Sequence, residues 1–200
     1  PYIRDVESCY LSSSLAVDLA KKYDADLHVF HLTTEKEMEL FTSGEVDNKK
    51  ITAEVCVHHM HFNNSYYAEL GNQIKCNPSI KMESDRLALI DALKGNKIDI
   101  IATDHAPHTW DEKNQDYPSA PAGLPLVQHG LQILMDFYHE GILSLEMIVE
   151  KTSHNVAKRF QIKDRGYIRE GYYADLTVLD LGKPYEVSKE NILYKVGWSP

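Results

Sequence analysis

The chain has 200 residues, of which 43% are apolar, and its 30 acidic and 21 basic side chains give a formal net charge of −9. This composition is typical of one globular domain, or of one domain with part of a second. The sequence has no basic stripe, no basic cluster beside a membrane segment and no apolar run near the ~20 residues that span a bilayer, so it predicts neither nucleic acid nor a membrane as a partner.

The first predicted elements are two helices that flank a short apolar run. In residues 8–23 four large side chains recur at intervals of four, and we expect them to form the core-facing stripe of a helix. Thr34 and Glu37 have the spacing of a capping box, which predicts a short helix that runs to Phe41. The stripe consists of Leu11, Leu15, Leu19 and Tyr23.

Three short runs, at 27–32, 51–57 and 98–103, have the length and β-branched content of buried strands. The segments between them are long enough for right-handed crossovers, so the strands are predicted to be parallel. A parallel sheet buries both faces, and the predicted helices cover only one of them. We therefore expect these strands to belong to a larger closed sheet such as an eight-stranded (β/α) barrel.

The later elements are helices, a long loop and a final strand. One helix is expected to start at Ser84 or Asp85 and to end near Gly95. The stretch 104–125 is a long loop, and loops of this length are usually functional or disordered. Two short helices then follow a longer one, and 171–180 alternates like a strand. The apolar faces of the two longer helices are predicted to carry Leu87, Ile90, Leu93, Val127, Leu131, Leu134 and Tyr138.

Six of the ten histidines follow the predicted strands closely. The carboxyl ends of barrel strands carry the chemistry of such folds, and His31 and Asp104 end the first and third runs. Imidazole and carboxylate suit Zn²⁺, which lowers the pKa of a bound water towards ~7. A carboxylate beside that water can then take and return its proton. The six histidines are His31, His58, His59, His61, His105 and His108.

The residues alone leave other interpretations open. His31 also fits a hydrogen-bonded structural histidine, and Asp104 fits a turn before a proline-containing loop. His58, His59 and His61 are suited to a metal, but also to a polar strand exit. The three cysteines form no Cys-x-x-Cys motif and are odd in number, which predicts reduced, packed thiols in a cytoplasmic protein. They are Cys9, Cys56 and Cys76.

Six short segments, spread over nearly the whole chain, carry recognisable motifs. They are LHVFHLTT at 27–34, TAEVCVHH at 52–59, KCNPSIK at 75–81, ATDHAPH at 102–108, SAPAG at 119–123 and GYYADLTVLD at 171–180. Each segment alone is a weak signal, whereas the six together, in this order, are specific. Through them the chain resembles the dihydroorotases of the amidohydrolase superfamily.

The resemblance implies a fold and a reaction. For residues 1–165 it implies the carboxy-terminal part of a TIM-type barrel, with barrel strands six to eight. For residues 166–200 it implies the start of a small β-sandwich domain. The reaction is the reversible, zinc-dependent hydrolysis of the cyclic amide of L-dihydroorotate to N-carbamoyl-L-aspartate in pyrimidine biosynthesis. The implied partner is thus this small molecule, while homodimer formation stays open.

The resemblance also assigns roles to individual residues. His31 is the implied zinc ligand, and Asp104 is implied to be both a zinc ligand and the general base and acid. Asn77 and His108 are implied to hydrogen-bond the substrate, and the backbone of the loop with Pro121 and Gly123 to meet the pyrimidine ring. The zinc centre of the family is binuclear, and its remaining ligands are expected upstream of this chain.

Departures from the family pattern keep alternatives open. The family's His-x-His on its first strand, its bridging Lys carboxylate or Asp on the fourth, its histidine on the fifth and its carboxylate-binding arginine are absent, so we expect the isolated chain to be inactive. Val57 replaces a proline, and 79–81 reads Ser-Ile-Lys where Pro-Leu-Arg is usual. The alternatives are a related cyclic amidase, such as dihydropyrimidinase or allantoinase, and a non-catalytic homologue that serves as a scaffold or partner.

Overall fold

The structure is a computed structural model and describes residues 4–200. Within this range one helix, α7 (Leu145–Val149), continues through a π-helical turn, Glu150–His154, into the next helix, α8 (Asn155–Arg159). No helix in 4–200 is long and apolar enough to cross a membrane. In chain order the elements are α1 (Val6–Tyr23), β1 (Leu27–Val29), β2 (Ile51–Cys56), α2 (Val57–His61), α3 (Tyr67–Leu70), α4 (Glu83–Lys94), β3 (Ile100–Ala102), α5 (Trp110–Lys113), α6 (Gly130–His139), α7 (Leu145–Val149) and α8 (Asn155–Arg159), with 3₁₀ turns at Lys36–Leu40, Val46–Asn48, Asn64–Tyr66 and Gly71–Ile74.

The three strands form one parallel sheet in the order β1-β2-β3. Leu27 lies opposite Ile51 in the first pair, and Cys56 lies opposite Ala102 in the second. This arrangement confirms the predicted α/β class and the parallel direction of the strands. Because the strands are parallel, all of their carboxyl ends lie at one edge, which we call the carboxyl edge.

The core lies between the sheet and the helices, but α1 contributes less to it than expected. The predicted stripe was wrong, since Leu11, Leu15, Leu19 and Tyr23 are all exposed. The buried residues of α1 are the smaller Ser13, Val17 and Ala20. Small side chains let the helix approach β1 and the 3₁₀ turn Lys36–Leu40 closely, which turns the large residues outward.

The capping and turn residues predicted the ends of the helices well, whereas the spacing of apolar residues predicted their buried faces less well. Thr34 and Glu37 form the predicted reciprocal hydrogen bonds, although the helix that follows is the 3₁₀ turn. The helix α4 begins after Met82 rather than at Ser84, and the Asp85 carboxylate accepts the Met82 N–H. It ends before Gly95 as predicted. Two residues predicted for the core, Leu87 and Val127, are instead exposed.

The strand predicted over 171–180 is absent from the structure, which has no strand in 166–200. Val178 is 93% exposed, and Leu176 is also exposed. A strand needs a neighbour to satisfy its backbone, and no described strand lies beside this segment. The later stretch 194–198 instead attaches by side chains, because the Tyr194 hydroxyl accepts the Gln128 N–H and the Trp198 indole donates to the His108 carbonyl.

A buried ion pair joins the amino ends of β2 and β3. The Lys49 ammonium lies 2.7 Å from an Asp99 carboxylate oxygen, and the two side chains are 5% and 1% exposed. The second carboxylate oxygen accepts the Ala53 N–H at 3.0 Å, and Asn155 of α8 donates to the Asp99 carbonyl. One aspartate thus connects two strands and the last helix, at the end of the sheet opposite the carboxyl edge.

Candidate active site

The carboxyl edge collects the polar residues that were predicted for it. His31 and Asp104 each lie two residues beyond a strand, β1 and β3, and each has a φ of 44°. This left-handed backbone is uncommon for residues other than glycine, although histidine and aspartate adopt it more readily than most residues do. In both places the chain therefore bends sharply as it leaves the sheet.

Between these bends, α2 begins directly after β2 and brings two buried histidines to the edge. His59 donates its Nε2 proton to the Pro78 carbonyl at 2.9 Å, which leaves its Nδ1 lone pair free. Both ring nitrogens of His58, Nδ1 of His59 and Nδ1 of His31 are buried without a hydrogen-bond partner. Burial, and then the neighbouring His31, lowers the pKa of His58 to about 3, so its ring is neutral.

These unpartnered nitrogens fit a metal ion. One ligand atom from each of Cys56, His58 and His59 lies within 4.8 Å of the others. His59 also donates its second nitrogen to a carbonyl, as metal-bound histidines do. Burial, with the charges of Glu54 and Asp104, raises the pKa of the Cys56 thiol. Metal ions bind the thiolate rather than the thiol, so this raised pKa leaves the imidazoles and the Asp104 carboxylate as the donors at this edge, and imidazole with carboxylate suits Zn²⁺.

A cleft of about 620 Å³ runs between α1 and β1, and both His31 and Asn77 line it. Two residues predicted for the site from segments far apart in the sequence therefore line the same cleft. The Arg4 guanidinium, which was not predicted, lines the same cleft and donates to the Asn77 side-chain oxygen.

The loop after β3 folds back on itself and brings His108 to Gly123. The His108 Nε2 donates to the Ala122 carbonyl at 3.1 Å, and the Ala106 N–H donates to the Leu124 carbonyl. The loop contains the short helix α5, so it is more regular than expected. His105, which seemed a candidate ligand, accepts the N–H groups of 126 and 127 through Nδ1 and thus has a structural role.

Gly123 is required at this fold-back by both backbone and space. Its φ is +140°, and a Cβ atom there would lie 2.6 Å from the Ala106 carbonyl oxygen. We expect Gly123→Ala to destabilise the protein by about 2 kcal/mol in urea unfolding, since strain and steric overlap add. The matched control is Gly141→Ala, where φ is +71° but nothing lies within 4 Å. Equal losses in the two variants would contradict the steric part of this prediction.

Two lysines beneath the loop were missed by the sequence analysis. Lys75 and Lys113 are buried, and their ammonium groups donate to main-chain carbonyls of the segment 117–123. A lysine in a loop-rich segment is normally solvated, so no pattern in the sequence singles out these two. Lys75 begins the matched segment 75–81, and Lys113 lies between the matched segments 102–108 and 119–123.

Comparison with known proteins gives a consistent family assignment. The model of the Amidohydrolase family matches residues 15–196. A dihydroorotase of Methanosphaera stadtmanae is 34% identical over 199 residues, which are 100% of this chain and 46% of that protein. A dihydroorotase of Ligilactobacillus salivarius is 36% identical over 92% of this chain and 44% of its own length. The chain thus spans less than half the length of these relatives.

Solved structures share the fold at lower sequence identity. The L-hydantoinase (dihydropyrimidinase) of Arthrobacter aurescens superposes with a TM-score of 0.75 at 22% identity, over 81% of this chain and 37% of its own. The dihydroorotase of Saccharomyces cerevisiae, solved with 5-fluoroorotic acid, has a TM-score of 0.68 at 19% identity, over 76% of this chain and 43% of its own. The family match over most of the sequence and these superpositions agree, and the chain belongs to the amidohydrolase family.

Proposed function

We propose that this chain supplies the carboxy-terminal part of a dihydroorotase, which interconverts L-dihydroorotate and N-carbamoyl-L-aspartate. The observation that carries the proposal is the geometry of His31 and Asp104, which bend out of parallel strands at the same edge with the same unusual φ. The identity to dihydroorotases over the whole chain supports it. In this proposal β1, β2 and β3 are strands six to eight of a TIM-type barrel within 1–165, and 166–200 begins a second domain.

Zinc is the proposed metal, with His31 and Asp104 as the ligands from this chain. When bound, it activates water and polarises a carbonyl group. The buried nitrogens of His58 and His59 lie at the same edge and offer further donors. We propose a binuclear centre completed by ligands that this chain does not contain.

Asp104 is proposed to move the proton. It is exposed at the carboxyl edge, so its carboxylate is free to accept a proton from water and to deliver it to the leaving ring nitrogen. Asn77 and His108 are proposed to hydrogen-bond the substrate. Pro121 and Gly123 are proposed to hold the loop whose backbone meets the pyrimidine ring.

The direct test is an assay of a protein of the relatives' full length that contains this chain. We expect zinc-dependent turnover of dihydroorotate, and zinc measured by atomic absorption. Dihydrouracil and allantoin serve as comparison substrates. Turnover of dihydrouracil alone would instead identify a dihydropyrimidinase, the candidate favoured by the superposition on the Arthrobacter enzyme. Zinc-loaded, folded protein that acts on none of the three would indicate a non-catalytic homologue.

We expect His108→Ala to weaken substrate binding more than chemistry. The loss of one hydrogen bond to a charged or polar substrate should raise KM about tenfold, with kcat and zinc content little changed. His139→Ala, at the end of α6, is the control and should leave both constants unchanged. Loss of zinc from the His108 variant would mean that this histidine is a ligand.

We also propose that the protein works in the cytoplasm on a free small molecule. All three cysteines are free in the structure, and two of them are buried, which suits a reducing compartment.

A further inference from the structure

The segment 117–123 is held from below by two buried ammonium groups. Lys113, the last residue of α5, is 2% exposed, and its Nζ donates to the carbonyls of Lys75, Pro121 and Gly123 at 3.0–3.1 Å. All three of its protons are therefore used. Lys75 donates to the carbonyls of Tyr117 and Ala120.

The two lysines are connected through one carbonyl. The Lys75 carbonyl accepts both the Lys113 ammonium and the Gly123 N–H, at 3.1 and 2.9 Å. Their five contacts thus hold four carbonyls of the segment, at 117, 120, 121 and 123, and the carbonyl of Lys75 itself. Neither ammonium makes an ion pair with a carboxylate among residues 4–200, so main-chain carbonyls, together with the aromatic rings of Tyr117 and Trp198, stabilise the two charges.

The loop is also closed from the other side. The Lys113 ammonium lies 5.9 Å from the centre of the Trp198 ring, and the Trp198 indole donates to the His108 carbonyl at 2.8 Å. Water is therefore kept from the ammonium, and its hydrogen bonds to the carbonyls are stronger than they would be at the surface. An exposed lysine does not hold a loop in this way, since its side chain stays mobile and solvated.

We propose that Lys113, assisted by Lys75, is a positioning residue that fixes the carbonyls of 117–123 and so sets the shape of the substrate-facing side of this loop. The identity of the substrate in this proposal rests on the proposed function, whereas the geometry of the loop does not depend on it. Lys113 touches no substrate itself. It acts through Pro121 and Gly123, whose carbonyls it holds.

The charge on Lys113 gives the proposal a pH-dependent signature. Burial lowers the pKa of Lys113 to about 8; the Lys75 charge acts in the same direction, and the Cys76 thiol opposes it. The facing side chain from the end of the chain, Trp198, does not titrate. Above pH 8 the neutral amine keeps two N–H groups for three carbonyls. The loop contacts should therefore weaken as the pH rises through 8.

The test compares Lys113→Met, Lys113→Arg and Lys94→Met in the full-length protein. Lys94 is the matched control, since it also ends a helix but is exposed. We expect Lys113→Met to raise KM for dihydroorotate at least about tenfold with kcat changed less than about threefold, because binding geometry and not chemistry is lost. Lys113→Arg should recover part of the loss and should remove the rise in KM above pH 8.

Hydrogen exchange of the loop amides gives a readout that needs no activity. Lys113→Met should speed exchange at 119–124 at least about tenfold, since three charge-assisted bonds are lost. If the loop amides of Lys113→Met exchange faster but KM is unchanged, the positioning role is wrong. If their exchange is unchanged, Lys113 does not hold the loop carbonyls. If Lys113→Met does not fold, Lys75→Met takes its place. It is expected to show the same rise in KM and the same faster amide exchange, and the same results would contradict the proposal. If the unmutated full-length protein does not turn over dihydroorotate, the proposed function is wrong. The exchange measurement still tests whether the two lysines hold the loop.

Discussion

Asp104→Asn is expected to reduce dihydroorotate turnover on the order of a thousandfold. The amide keeps the size and shape of the carboxylate, but it cannot accept a proton from water at neutral pH. The bend at φ 44° should survive, since asparagine is among the residues that adopt this conformation most readily. The measurement is kcat in a protein of full family length, together with its zinc content.

The control for this variant is Asp111→Asn, an exposed aspartate in α5 of the same loop. It changes charge equally and should leave turnover unchanged. If Asp104→Asn retained turnover within about tenfold of the parent while binding zinc normally, the assignment of Asp104 as proton carrier would fail. A loss of both zinc and turnover would leave Asp104 as a ligand and remove the support for its second role.

Asp99→Ala is expected to destabilise the protein by about 3–5 kcal/mol, because it leaves the buried Lys49 charge without its partner. It also removes the acceptor of the Ala53 N–H in β2. The measurement is the free energy of unfolding in urea. The control is Asp175→Ala, whose partner Arg165 is exposed, and no measurable change is expected there.

If Asp99→Ala hardly changed the free energy of unfolding, the ion pair of Lys49 and Asp99 would not stabilise the sheet in this way. Lys49→Met with Asp99→Ala should recover much of the loss, since an apolar pair has no charge to leave unpaired. The comparison separates the cost of the orphaned charge from the loss of the hydrogen bond to Ala53. Because the pair lies at the end of the sheet away from the carboxyl edge, zinc content should not change in the folded fraction.

The strands and the edge were predictable because each depends on a local pattern. Short β-branched runs predicted β1, β2 and β3, and parallel strands must present their carboxyl ends together. The positions of His31 and Asp104 at that edge follow from these two facts. The roles proposed for them, metal ligand and proton carrier, come from the family resemblance.

What could not be predicted depends on long-range packing. The leucines of α1 repeat regularly, but which side of a helix is buried depends on what lies beside it, and here small residues give the closer approach. The strand expected at 171–180 likewise has the right alternation but no partner. The roles of Lys75 and Lys113 were hidden for the same reason, since a lysine is recognised as buried only when its carbonyl partners are seen.

The hydrogen bond from Trp198 to the His108 carbonyl has a practical consequence for protein engineering. The indole closes the underside of the loop that holds His108 although it lies ninety residues later in the chain. Insertions, fusions or cleavage sites introduced near Trp198 are therefore expected to alter the conformation of this loop, while the carboxyl edge is left intact. Variants of this protein made for assay should carry their additions elsewhere.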